Sequence, residues 1–118
     1  MTNKEQIIQY LTDNMELTED LTKTYINKIL DTIKTFDNKQ QDYGPKNIAD
    51  TVNEFGLHSI QIRIRDKEAR IKNLLNKEKE PTNEPLADAF MDAAVYFIIM
   101  GMVEANKWPG INIEKSRW

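Results

Sequence analysis

From Leu21 the apolar residues recur at steps of three and four, through Tyr25, Ile29, Ile33 and Phe36, the period of one face of an α-helix. Ile26 and Leu30 widen that stripe to about half the circumference at about 100° per residue, more than one partner helix covers. A second stripe, Leu57, Ile60, Ile64, Ile71 and Leu75, predicts a helix from Leu57 to about Asn76. Within it Ile60-Gln61-Ile62-Arg63-Ile64 alternates as a strand would, but the longer window keeps the helical period. From Ala93 to Val103 every residue is apolar, so the last helix belongs at the centre of the fold or at a subunit interface.

Start and stop signals divide these patterns. Thr2-Asn3-Lys4-Glu5 reads as a capping box that opens a short helix through Ile7, Ile8 and Leu11, ending near Asp13-Asn14. Thr18 is the expected start of the long second helix, with Glu19 and Asp20 in its positive first turn. Asp42-Tyr43-Gly44-Pro45 is a turn, because Gly is permissive and Pro pushes the preceding residue out of the helical region. A short helix follows from about Asn47 to Phe55 and stops at Gly56. Lys77 to Asn83 reads as a charged linker with Pro81, and Asn83 as the N-cap of a helix from Glu84 to about Asn106. Trp108-Pro109-Gly110 ends it, and Ile111 to Trp118 has no usable period. No internal repeat or low-complexity segment occurs. The expected fold is an all-α, single-domain helical bundle of about five helices.

Composition narrows the function. The chain has 118 residues, 40% hydrophobic and 30% charged, with 16 basic against 19 acidic residues and a net charge of −3. Such a mixture suits a folded domain rather than a disordered tail. A pI near 5.2 gives no strong nucleic-acid signal, since gripping a phosphate backbone draws on excess Lys and Arg. With no cysteine and one histidine, thiolate metal sites, disulfides, cysteine nucleophiles and two-histidine metal sites are excluded. The first residues hold no apolar signal core, and the longest apolar run is shorter than the roughly 20 residues of a membrane span. The expectation is a cytoplasmic protein without a membrane partner.

Candidate chemistry lies on the last two long helices. With Ile60 at zero on a helical wheel, Lys67 falls near about 340°, on the edge of the apolar arc, so it must snorkel or find an anion. Arg63, Asp66 and Arg70 gather at about 240–300°, at spacings that let Asp66 pair with both arginines. They form either an exposed ion-pair ladder or, with Lys67, an edge that grips phosphate. On the last helix Glu84, Asp88 and Asp92 step by four, each about 6 Å further along. Neighbouring pairs could share a divalent ion, and hard oxygen donors favour Mg²⁺. Alternatively, Asp88 and Asp92 pair with Arg63, Lys67 or Arg70 across the packed helices. His58 beside Ser59 makes no nucleophile and base, because adjacent helical residues diverge. Tyr43 and Trp108 could each stack on a base, although aromatics beside Gly and Pro turns more often anchor local packing.

Taken in order, Asp42-Tyr43-Gly44-Pro45-Lys46-Asn47, Phe55-Gly56-Leu57, the run Arg63 to Leu74, and Glu84 through Asp88 and Asp92 to Tyr96 resemble the phage-associated nucleotide-modification-associated domain family, first type. That family's pattern is a Tyr-Gly turn, an Arg-x-x-Asp-Lys-x-x-Arg helix and a Glu-x-x-x-Asp-x-x-x-Asp-x-x-x-Tyr helix. The likeness covers roughly Lys39 to Trp108. It divides the chain into an N-terminal helical segment (1–38), a nucleotide-modification-associated helical core (39–108) and a tail (109–118). The resemblance implies a phage or prophage protein of a bacterial host cytoplasm acting on or near nucleotide metabolism, and carries over Tyr43, Arg63, Asp66, Lys67, Arg70, Glu84, Asp88 and Asp92 as candidate positions. Of these we expect Tyr43, Arg63, Lys67 and Arg70 to bind ligand, Asp66, Asp88 and Asp92 to be catalytic, and Glu84, Asp88 and Asp92 to be metal ligands. The chain is similar, more loosely, to the MazG-type all-α nucleoside triphosphate pyrophosphatases. It lacks their Glu-Glu-x-x-Glu helix, and its acids are spaced by four where theirs are spaced by three.

These expectations combine into a nucleotide-handling protein, with Mg²⁺-dependent hydrolysis of a nucleoside triphosphate as its reaction if it turns substrate over. The alternative is a non-catalytic binder that sequesters a nucleotide, or a subunit of a modification or anti-defence assembly. Under either, Ile62 off the main stripe and the all-round apolar last helix point to a homo-oligomer.

Overall fold

The structure, a computed structural model, describes residues 1–76, 86–115 and 118. Among these the chain is all-α and has no strand, with helices α1 (Asn3–Asn14), α2 (Asp20–Tyr43), α3 (Lys46–Phe55), α4 (His58–Leu75) and α5 (Leu86–Glu104). The expected linker from Lys77, the Asn83 cap and Glu84 lie outside the described residues. Contacts divide the chain into two compact units, Met1–Asn38 and Lys39–Trp118.

In the first unit the capping box forms. The Glu5 amide donates to Thr2 Oγ1 at 3.1 Å, and the Thr2 amide donates to Glu5 Oε2 at 3.2 Å. α1 ends where Met15 and Leu17 close onto the carbonyls of Leu11 and Thr12, with Glu16 at a φ of 54°. α2 begins at Asp20, two residues later than the Thr18 start. The Thr18 hydroxyl donates to the Glu19 carboxylate at 2.9 Å instead of accepting a backbone N–H, so it does not cap the helix. Lys4 of α1 reaches Asp31 of α2 at 2.8 Å, an exposed ion pair that ties the start of α1 to the middle of α2. Ile26 is the one buried residue of this unit, while Leu21, Tyr25 and Ile33 stay exposed.

The second unit holds the core. Gly44, at a φ of 67°, ends α2, and Gly56, at 82°, ends α3. Both take the left-handed conformation that a side chain disfavours. Ile48, Ala49 and Val52 of α3, Ile60, Ile64 and Leu74 of α4, and Ala89, Val95, Ile99 and Val103 of α5 are buried, with α4 packed along α5 and against α3. The buried face of α4 differs from the expected stripe, because Leu74 is buried and Leu75 exposed. On the wheel Leu74 lies at about 320° and Leu75 at about 60°, so the packed arc is turned toward Lys67.

The tail beyond α5, for which the sequence offers no period, is tied to α3. Trp108 is buried and its Nε1–H donates to the Pro45 carbonyl at 3.0 Å, so it anchors packing. Asn53 donates from Nδ2 to the Gly110 carbonyl at 2.9 Å and accepts the Asn112 amide on Oδ1 at 2.8 Å. Gly110 has a φ of 82°, and a Cβ there would stand 3.4 Å from that of Ala49, so the turn passes close over the helix.

Candidate functional site

Asp92 sits in the N-terminal half of α5, on the side that packs against α4. Measured from Phe90, Asp92 lies at about 200° on the wheel, within the arc of about 140–260° that carries Val95, Ile99, Val103 and Ala89. Its side chain is 19% exposed. A carboxylate held in such a place needs cations, and two reach it. Lys67 Nζ of α4 stands 3.1 Å from Oδ2 and Lys39 Nζ of α2 stands 3.0 Å from Oδ1. Lys39 also lies 5.8 Å from the ring centroid of Tyr96, one turn beyond Asp92, in cation–π range.

Burial alone would raise the Asp92 carboxyl, but hydrogen bonds from Lys39 and Lys67, and then their charges, outweigh it and hold the group below its usual range. Two ammonium groups on one carboxylate leave one net positive charge in a half-covered place. Each ammonium has three N–H donors, and only one bond from each to Asp92 is formed. The cluster can therefore take a further anion.

Of the residues singled out from the sequence, Lys67 and Asp92 are brought together, which is the cross-helix pairing weighed above. Asp66 and Arg70 are exposed and Arg63 is half-buried. They lie about 40–100° around α4 from Lys67, and Asp66 pairs with no described residue, so the expected ladder does not form through it. Asp88, one turn before Asp92 and about 40° around the helix, is exposed and makes no ion pair with a described residue. Tyr43 is exposed at the last position of α2, next to the Gly44 turn. Glu84 lies outside the described residues.

A resident metal at Asp92 does not fit the cluster as it stands, because both carboxylate oxygens are engaged by lysines. Among the described residues no three acids or histidines converge as a metal site. Lys39 is the member of this cluster that sequence reasoning missed. The signal was present, since Lys39 continues the three-and-four step of Ile29, Ile33 and Phe36, a cation on an apolar stripe just as Lys67 is. Compared with family models, curated proteins and solved structures, the chain matches none.

Proposed function

We propose that this protein binds a nucleotide, or another phosphate-bearing small molecule, through the lysines gathered around Asp92. The observation that carries the reading is the convergence of Lys39 and Lys67 on one half-buried carboxylate, which leaves positive charge and spare donors. Asp92 is then a positioning residue. It holds two flexible lysines in place, so that less side-chain entropy is lost when the phosphate arrives. Arg63, further round α4 and half-buried, extends the contact along a polyphosphate in this reading. The exposed ring of Tyr43 is the candidate to stack on a base. The motif likeness to nucleotide-modification-associated proteins supports the same ligand class.

Turnover is the second reading, and Asp88 favours it. A carboxylate one turn from the cluster, exposed and without an ion pair to a described residue, is available to orient water or to meet a divalent ion carried in on the phosphates. Calorimetry with each deoxynucleoside triphosphate, with and without Mg²⁺, run beside assays for released phosphate and pyrophosphate, separates the readings. Binding weakened about tenfold or more by Lys67→Met is expected, on the strength of a charge-assisted phosphate contact. Turnover abolished by Asp88→Asn, with binding kept, identifies a hydrolase. No heat of binding with any triphosphate overturns the proposal.

A further inference from the structure

From Ala93 to Val103 α5 is apolar all the way round, yet only 22% of the helix's most apolar 18-residue stretch is buried. By length and composition it could cross a membrane. One arc packs on α4. The opposite arc, at about −20 to 80° on the same wheel, carries Ala87, Phe90, Ala94, Phe97, Ile98 and Gly101, all exposed. Four of its positions, Phe90, Ala94, Phe97 and Gly101, step by four, three and four, the spacing of a helix–helix seam. Large and small alternate along it: Phe, Ala, Phe, Gly. Glycine inside a helix costs about 1 kcal/mol relative to alanine, and a Cβ at Gly101 would meet no described residue within 4 Å. No described residue therefore calls for the missing side chain.

We infer that this face is an isologous interface on which a second copy of the chain docks, with the two α5 helices antiparallel about a two-fold axis passing between Val95 and Tyr96. In that register Phe90 lies over the partner's Gly101, and Phe97 lies over the partner's Ala94. The symmetry mate repeats both contacts, so each knob meets a recess, as a two-fold interface requires. The area fits a weak, reversible dimer. Phe90, Phe97 and Ile98 are 49%, 57% and 52% exposed, roughly 300 Å² of apolar side chain given what such residues can bury. With the small residues beside them, the face offers on the order of 400 Å² per copy, and two copies remove about 800 Å², the scale of a transient, concentration-dependent association. Lipid chains have no use for recesses matched to rings, so the alternation favours a helix over a bilayer as occupant. The interface is independent of the phosphate reading, because Asp92 and its lysines occupy the opposite arc.

Light scattering over a concentration series should show the mass of two chains. Gly101→Leu should weaken the dimer at least about tenfold by overpacking the seam, while thermal stability of the separated chain holds or rises, because leucine is the better helix former. The chain has no cysteine, so register can be read directly. A mixture of Phe90→Cys and Gly101→Cys should oxidise to the mixed disulfide in preference to either homodimer. Three results would each overturn the inference: one-chain mass at every concentration, a dimer indifferent to Gly101→Leu, or Gly101→Cys pairing with itself. So would a monomer that floats with phosphatidylcholine–phosphatidylglycerol vesicles, which would give this face to a membrane.

Discussion

Residues Met1–Asn38 and Lys39–Trp118 are built from helices by different means. The first unit has a formed capping box and one exposed ion pair, but Ile26 is its one buried residue. The second has poorer caps, since Pro45 and Leu57 make no side-chain hydrogen bond at their helix starts, yet its three helices bury a continuous set of aliphatic side chains. Local signals decide where a helix begins. Burial decides whether it resists unfolding, because a cap contributes about 1 kcal/mol and a buried aliphatic side chain about 1.5–3.

The largest expected effect tests that contrast. Ile60, 1% exposed in the first turn of α4, against Ile26, 9% exposed in α2, gives a matched pair. Ile60→Ala should cost about 3–4 kcal/mol by urea unfolding, from lost transfer energy and the cavity left behind. Ile26→Ala should cost about half of that, because its surroundings are open and can collapse. Equal losses would mean that the first unit has a core of its own.

A smaller effect should come from Asn53, the polar residue of α3 that holds Gly110 and Asn112. Asn53→Ala removes both bonds and should cost about 1–2 kcal/mol. Amide exchange should quicken first at Asn112 and leave α1 unchanged. Exchange that rises equally in both units would show instead that the tail is coupled to the whole chain.

The same contrast explains how much was legible. Helix positions were, because Thr2 with Glu5, Gly44-Pro45 and Gly56 act through their immediate neighbours. Lys67 was also legible as a cation on an apolar arc, and its pairing with Asp92 was one of the alternatives the spacing allowed. Lys39 is not legible as a site residue from its place on the stripe alone, because its partner is 53 positions away and nothing near it in the chain marks the pairing. Asn53 shows the limit most clearly. One asparagine on a short helix carries no periodic signal, and its role exists only once the tail has folded back. Leu74 and Leu75 were exchanged for a geometric reason, since neighbouring residues are about 100° apart and a modest turn of the packed arc decides between them.

The finest test of the contrast is acid. Asp31, in the first unit, and Asp92, in the second, are both held below their usual range. At Asp31 the hydrogen bond from Lys4 is the main cause, with burial opposing. At Asp92 burial is the largest influence, and two lysines overcome it. A carboxyl depressed in the folded state contributes stability that is fully present above its unfolded value, near about pH 4, and is lost as pH falls through its lower folded value. Asp92→Asn should therefore destabilise by about 1 kcal/mol at pH 7, and the difference from the parent should close as pH falls through the lowered folded value, where the parent carboxyl takes up its own proton. Asp31 is exposed and its lysine is screened by water, so Asp31→Asn should leave the stability profile nearly unchanged over the same range. Parallel profiles for the two variants would show that the lysine pair around Asp92 is no stronger than a surface contact, and would remove its claim to be a preorganised anion cradle.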